Sequence, residues 1–170
     1  MENSTTITDA LWTQFGASLD MLENAIIMCP DEHRYTATDF WYLSFHCIFW
    51  TDYYLSTAPN DFEPPQPFDF SEFDPSGKKP NRTYTKAEIL AYVEHCRQKA
   101  NRLIREFTPE KMNDRWINEY KNYSMLEILL YNMRHVQHHA AQLNILLRQT
   151  IDKAPNWVGQ ARKIIENKEG

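Results

Sequence analysis

The segment with the clearest pattern is residues 124–147, SMLEILLYNMRHVQHHAAQLNILL. It opens with Ser124 and Glu127, whose spacing is that of a capping box at a helix N-terminus. At about 100° per residue, its apolar side chains share one arc of a helix. They are Met125, Ile128, Leu129, Val136, Leu143, Leu146 and Leu147. The segment therefore predicts an amphipathic helix that runs from Ser124 to about Ile151 and buries this arc.

Two histidines, His135 and His139, fall within the apolar arc. An inward stripe normally carries aliphatic residues, because each buried imidazole has two nitrogens that need hydrogen-bond partners. The i, i+4 spacing places the two rings one turn apart, where each can direct a nitrogen at a shared ion. For an isolated pair, core histidines bonded to side chains or water are the commoner outcome.

A third histidine, His46, shifts the balance towards a metal site. It lies in a second predicted helix, about 38–56, on the same face as Leu43 and Trp50. Three inward histidines from two helices match the three-nitrogen set of catalytic zinc sites, which leave one position open. We therefore expect one divalent metal ion bound by His46, His135 and His139.

The remaining histidines are assigned other roles. His138 competes with His139 for the ion, but it lies about 100° around the helix, so we expect it at the edge of the stripe. His33 and His95 are expected to be ordinary solvated or packed side chains. The chain has no Glu-x-x-His pair and no His-Glu-x-x-His sequence, which argues against a di-iron bundle and a zincin and favours one metal ion.

Three polar residues are candidates for the surroundings of the ion. Asn132 and Gln142 flank the histidine pair by one turn each, and Tyr53 follows His46 by two turns. Each can orient a ligand imidazole or contact a substrate. Polar residues that only satisfy a crowded interior would give the same pattern.

Helical periodicity and stop signals divide the chain into four long helices, at about residues 8–28, 38–56, 85–107 and 124–151, with no sustained strand pattern. Residues 59–81 are rich in Pro, Asp and Phe and form a long connection, either pinned by its four phenylalanines or disordered. A crossover of this length lets helices two and three run parallel. The predicted fold is thus an all-α, up-down-down-up four-helix bundle with a short C-terminal helix, about 155–167.

Composition sets the broad class. A chain of 170 residues suits a single domain, here with a core at about 8–151. The formal charge of −5 opposes binding to nucleic acid. Its N-terminus lacks the regions of a secretory signal and no apolar run is long enough for a membrane span, so a cytoplasmic location is expected. Cys29, Cys47 and Cys96 are odd in number and widely spaced, which predicts reduced thiols.

The two histidine-bearing segments resemble those of the DinB/YfiT-like metalloenzymes. The likeness rests on residues 43–50, LSFHCIFW, and residues 132–143, NMRHVQHHAAQL, the latter similar to the family's His-x-x-x-His-x-x-Gln-Leu signature. Ala140 and Ala141 replace a frequent Arg-Gly. The resemblance implies an up-down-down-up bundle, often dimeric, with nickel, zinc, iron or manganese held by three histidines. Family analogy supports fold and site better than reaction.

Three functions are compatible with a three-histidine metal site in this sequence. The first, implied by the resemblance, is a metal-dependent transferase that activates a low-molecular-weight thiol for attack on an electrophilic small molecule. The second is a hydrolase in which the ion lowers the pKa of a coordinated water. The third is a non-enzymatic metal-binding or interaction bundle, whose sign would be a fourth protein ligand.

Overall fold

Five helices and one β-hairpin make up the regular structure of the described part of the chain. A computed structural model describes residues 2–30, Tyr35 and residues 39–161, with side chains from residue 7 onward. The helices are α1 (Glu2–Met28), α2 (Phe40–Tyr54), α3 (Lys86–Arg105), α4 (Pro109–Asn113) and α5 (Met125–Ile151). The four long helices enclose one apolar core, as the periodicity predicts.

Helices α1 and α3 pack antiparallel. Lys86, at the start of α3, donates hydrogen bonds to the carbonyl oxygens of Ile27 and Cys29 at the end of α1. Farther along α3, Arg97 reaches back to Asp20 in the preceding part of α1, 2.7 Å away. The two helices therefore run in opposite directions.

Helices α2 and α3 run parallel. The ring of Phe45, early in α2, lies 4.8 Å from that of Tyr84, just before α3. Later in both helices, Lys99 Nζ contacts the Asp52 carboxylate at 2.6 Å. The long crossover between them gives the chain enough length to return to the same end of the bundle.

Helices α2 and α5 are antiparallel. His46 lies beside His139, whereas the later Thr51 accepts a hydrogen bond from the earlier Asn132. Together with the other two pairs, this gives the order up, down, down, up for the long helices. The all-α bundle predicted from the sequence is confirmed.

Two of the long helices begin at a residue whose side chain caps the N-terminus. Thr85 and Glu88 form a reciprocal capping box at the N-terminus of α3. Ser124 caps α5 by accepting a hydrogen bond from the Glu127 backbone. These contacts satisfy amide groups that a helix N-terminus leaves without intrahelical partners.

The crossover at 59–81 is packed against the bundle. Phe62 and Phe68 are buried, and the Phe68 ring stacks on Tyr92 of α3 with centroids 4.3 Å apart. Phe73 is 40% exposed, yet its ring contacts Trp50 of α2 at 5.4 Å. Of the two arrangements weighed from the sequence, the pinned one is found. Short 3₁₀ turns occur at Pro59–Asp61 and Ser71–Phe73.

A small hairpin between α4 and α5 differs from the sequence expectation of no strands. Strands β1 (Arg115–Ile117) and β2 (Asn122–Ser124) pair antiparallel. Each has only three residues, too few for a period-2 pattern to stand out. The hairpin places Trp116 in the core, where its indole donates to the Ser56 carbonyl at 2.8 Å.

The predicted C-terminal helix is not found where its start was expected. Residues 155–161 are not helical. They pack along α1 instead, with the Ala161 amide donating to the Thr13 carbonyl and Val158 buried. Pro155 is compatible with a helix start, but these tertiary contacts hold the backbone outside a helix. The rest of that prediction, 162–167, lies outside the described residues.

Two further expectations concern the cysteines and the membrane. Cys29, Cys47 and Cys96 are thiols, as predicted, and all three are buried. Among the helices of the described residues, none combines the length and apolar character required to cross a bilayer.

Candidate metal centre

Three histidines meet between α2 and α5. His46 comes from α2, and His135 and His139 come from successive turns of α5. One ligand nitrogen from each lies within 4.8 Å of the other two. The rings of His135 and His139 have centroids 4.5 Å apart, and His46 lies 4.8 Å from His139. The structure thus brings together the three residues predicted to bind the ion.

The imidazole of His46 is oriented by the crossover. Its Nδ1 lies 2.6 Å from Oε2 of Glu72. Burial by itself would raise the pKa of Glu72, but the hydrogen bond and charge of His46 outweigh it and lower that pKa. The group is therefore a carboxylate, which only accepts, so Nδ1 of His46 carries a proton. Nε2 remains free for another partner.

The imidazole of His139 is oriented from its own helix. Its Nδ1 lies 2.6 Å from Oε1 of Gln142, one turn later on α5. With the amide oxygen accepting, Nδ1 carries the proton and Nε2 is free. Gln142 occupies the orienting position that its spacing suggested.

The imidazole of His135 is held from α2. Its Nε2 lies 3.2 Å from the carbonyl oxygen of Cys47. A carbonyl oxygen only accepts, so Nε2 donates and Nδ1 keeps its lone pair. Each of the three rings therefore has one nitrogen fixed by an acceptor and one nitrogen available.

The two histidines of α5 are strongly biased towards the neutral form. Burial, followed by repulsion from His139, lowers the pKa of His135 to about 3. Burial likewise lowers the pKa of His139 to about 4, and the hydrogen bond that its Nδ1 donates to Gln142 opposes this shift. A metal ligand must offer a lone pair, which only neutral imidazole has. At neutral pH both rings meet that requirement.

The three imidazoles fit a divalent ion that keeps one coordination position open. Three neutral imidazole nitrogens are the protein ligands of one class of catalytic zinc site. Among the described residues, no fourth His, Cys, Asp or Glu joins the group. Cys47 follows His46 in sequence, but its thiol is fully buried in the core and burial raises its pKa well above the usual value. A closed four-ligand structural site is therefore not formed by these residues.

A cavity of about 590 Å³ adjoins the cluster. Its wall is formed by α5 and includes His135, Arg134, His138 and Tyr131. Volumes of about 300–1,000 Å³ are usual for small-molecule sites. The cavity therefore provides space for a small molecule beside one of the three histidines.

Two of the polar candidates are turned away from the cluster. Asn132 is fully buried and donates to the Thr51 carbonyl on α2 at 2.9 Å. Tyr53 is buried among aromatic rings, and its hydroxyl accepts from Asn118 at 3.0 Å. Seven residues along a helix span about 10 Å, which separates Tyr53 from His46. Asn132 therefore links α5 to α2, and Tyr53 links α2 to the connection between β1 and β2.

His138 and His95 lie outside the group of three. His138 is exposed, touches the His139 ring at a centroid distance of 5.1 Å and lines the cavity. His95 is 43% exposed, with Nε2 3.6 Å from the Asp52 carboxylate on α2. His33 lies outside the described residues.

Sequence reasoning did not find Glu72, and it placed Trp50 only on the same helix face as His46. Glu72 lies in a crossover without periodicity, so its spacing carries no signal about α2. The Trp50 indole donates to the same Glu72 oxygen at 2.7 Å. The only available clue was the clustering of phenylalanines around position 72, which indicated that this stretch is packed.

Comparison with known proteins identifies one family. The model of the DinB superfamily matches residues 30–143, a range of two-thirds of the chain that contains all three histidines and Gln142. No curated protein and no solved structure matches the chain significantly.

Proposed function

The chain belongs to the DinB superfamily, and on this premise we propose that it binds one divalent metal ion through His46, His135 and His139 and transfers a small thiol to an electrophilic small molecule. The observation that carries the metal assignment is the set of three oriented imidazoles, each with one free nitrogen. The family premise carries the choice of thiol transfer. Zinc, nickel, iron and manganese are the candidate ions.

An open position favours a reactive centre over a purely structural one. Three protein ligands leave room for an exogenous group, as in catalytic zinc sites. When bound, the ion supplies a Lewis acid that favours the thiolate form of an incoming thiol. Since imidazole ligands are neutral, they leave the centre with a net positive charge that attracts an anion.

The protein's own residues supply binding and orientation. Glu72, Gln142 and the Cys47 carbonyl hold the three rings in place before any ligand arrives. This arrangement reduces the reorganisation that binding requires. Arg134 places a cation on the wall of the adjoining cavity, which favours substrates with an anionic group.

The proposed reaction is a substitution. The thiol loses its proton to solvent, and its sulfur forms a bond with the electrophilic carbon as the bond from that carbon to chlorine or to the epoxide oxygen breaks. The electron pair of the broken bond leaves with chloride, or stays on the epoxide oxygen, which takes a proton from solvent. The protein positions the two reactants close together, which removes much of the entropic barrier of a bimolecular step. A homodimer and a cytoplasmic location complete the proposal, both resting on the sequence and family reasoning.

The test is a screen of the metal-loaded protein. Protein loaded separately with zinc, nickel, iron or manganese is incubated with small thiols and with chlorinated or epoxide substrates, and product is followed by mass spectrometry. We expect thiol-dependent product that is lost in His139→Ala and retained in His95→Gln. Turnover of an ester or amide without thiol, with the same dependence on His139, would replace thiol transfer with hydrolysis.

A further inference from the structure

Glu72 is a carboxylate in an unusual place. It belongs to a crossover outside the four long helices, yet its side chain is only 4% exposed. Taking a carboxylate out of water is costly unless strong hydrogen bonds compensate. Among the described residues, no hydrogen bond reaches its buried Oε1, so compensation comes from two donors to Oε2 and from the Tyr42 side chain, which also lowers the pKa of this carboxyl group. A purely structural anchor for the crossover needs no charged group.

Both donors to Oε2 come from one face of α2. His46 Nδ1 lies at 2.6 Å and Trp50 Nε1 at 2.7 Å, four residues later on the helix. The single N–H of the Trp50 indole donates to Oε2 and so holds the carboxylate in position. The carboxylate in turn fixes the ring of His46.

We propose that Glu72 is a positioning residue of the metal centre, and that through it the crossover at 59–81 is energetically coupled to metal binding. This inference rests on the proposed function, because it takes His46 as a ligand. A carboxylate that accepts from the far nitrogen of a ligand imidazole fixes its tautomer and raises its basicity. Without Glu72, the His46 proton is free to move to Nε2, the nitrogen that the ion requires.

Coupling also acts in the opposite direction. If docking of the crossover improves metal affinity, metal binding must stabilise the docked crossover by the same factor. The docked state is already supported by the buried Phe68 and by the contact of Phe73 with Trp50.

The first experiment measures metal affinity in matched variants. Zinc binding is measured by chelator competition for the wild type, Glu72→Ala, Glu72→Gln and Glu63→Gln. Glu63 lies in the same crossover, but its side chain is exposed. We expect affinity to fall about 10- to 100-fold in Glu72→Ala. Glu72→Gln, whose amide oxygen still accepts, should lose less, and Glu63→Gln should bind like the wild type.

The second experiment needs no metal. In ¹⁵N-histidine NMR of the metal-free protein, we expect His46 of the wild type to be protonated at Nδ1, and Glu72→Ala to show a mixture of tautomers. In hydrogen exchange, zinc should increase protection of amides at 59–81 in the wild type and have less effect there in Glu72→Ala. A residue that only pins the crossover would change its exchange without changing the tautomer.

The outcomes separate this inference from the proposed function. Wild-type protein that fails to bind zinc would overturn both. Zinc binding of equal strength in wild type and Glu72→Ala, with the His46 tautomer unchanged, would overturn the coupling alone. Circular dichroism establishes that each variant is folded, and Glu72→Gln serves as the conservative variant if Glu72→Ala does not fold.

Discussion

His46 on α2 and His139 on α5 meet edge to face, with ring centroids 4.8 Å apart and planes inclined at 79°. In both rings Nδ1 is engaged, by Glu72 in one case and Gln142 in the other, so Nε2 is the free nitrogen. The two acceptors come from different elements, the crossover and α5. The geometry of the pair therefore depends on the bundle and its crossover together.

The first prediction concerns the ligands. Replacing His46, His135 or His139 with Ala removes one of three nitrogens, and metal affinity should fall by at least about 100-fold, more than for loss of a supporting hydrogen bond. His138→Ala should retain near-stoichiometric metal, because His138 lies outside the group. Elemental analysis after dialysis measures the ratio. Retention of metal by all three ligand variants would contradict the site.

The second prediction separates two polar residues that the sequence treats alike. Gln142→Ala should weaken metal binding about 10-fold with little change in stability, because Gln142 orients His139. Asn132→Ala should leave metal affinity unchanged and lower the free energy of unfolding by about 0.5–1.5 kcal/mol, because it removes a buried hydrogen bond to the Thr51 carbonyl, which still accepts from the Leu55 amide. Chelator competition and urea unfolding measure the two effects. Weaker metal binding in Asn132→Ala, with a change only of stability in Gln142→Ala, would contradict both assignments.

The third prediction concerns pH and Asp52. This buried carboxylate accepts from Tyr92 and Lys99. Burial by itself would raise the pKa of Asp52, but the hydrogen bonds and charges of His95 and Lys99 outweigh it and lower that pKa. A carboxyl group with a lowered folded-state pKa stabilises the fold above its unfolded pKa of about 4, and this contribution is lost as pH falls through the folded value.

The free energy of unfolding of Asp52→Asn should accordingly be about 2–3 kcal/mol lower than that of the wild type at pH 7, and this difference should shrink at pH 3. Urea unfolding at both pH values makes the measurement. Asp61→Asn, at an exposed position of the crossover, is the control and should match the wild type. An Asp52→Asn deficit that is the same at both pH values would show that the charge has no part in it.

The fourth prediction concerns the buried cation between α1 and α3. Arg97 is 0% exposed and contacts Asp20 at 2.7 Å and Glu23 at 2.9 Å. Arg97→Met removes the cation that faces these carboxylates and should cost about 3–5 kcal/mol. Arg102→Met, at an exposed position of the same helix, should stay within about 0.5 kcal/mol of wild type. Equal stability of the two variants in chemical denaturation would contradict this reading.

The sequence predicts the three-histidine cluster because these residues interrupt a regular apolar pattern. His135 and His139 occupy positions of a 3.6-residue stripe that otherwise carries Leu, Ile and Val, and His46 does the same on α2. Periodicity also gives the four helices. Tyr53 lies on the face of His46, but the helical rise places it about 10 Å farther along the axis, where it packs with other aromatic rings.

Three of the missed features lie where no period exists: Glu72, the β-hairpin and residues 155–161. Glu72 reaches α2 only because the crossover folds back over the bundle, a tertiary effect that single-sequence spacing does not encode. The β-hairpin has strands too short to show alternation, and residues 155–161 are held outside a helix by contacts with α1. Asn132 sits one turn from His135, yet its amide turns to a carbonyl of α2.

The most direct test of the metal centre is an anomalous-difference map from crystals grown with zinc and measured on both sides of its absorption edge. The structure leads us to expect a single strong peak about 2.0–2.1 Å from one imidazole nitrogen of each of His46, His135 and His139. No fourth side chain should complete the coordination. A peak that lies away from His46, or an ion enclosed by a fourth protein ligand, would contradict the open three-histidine centre.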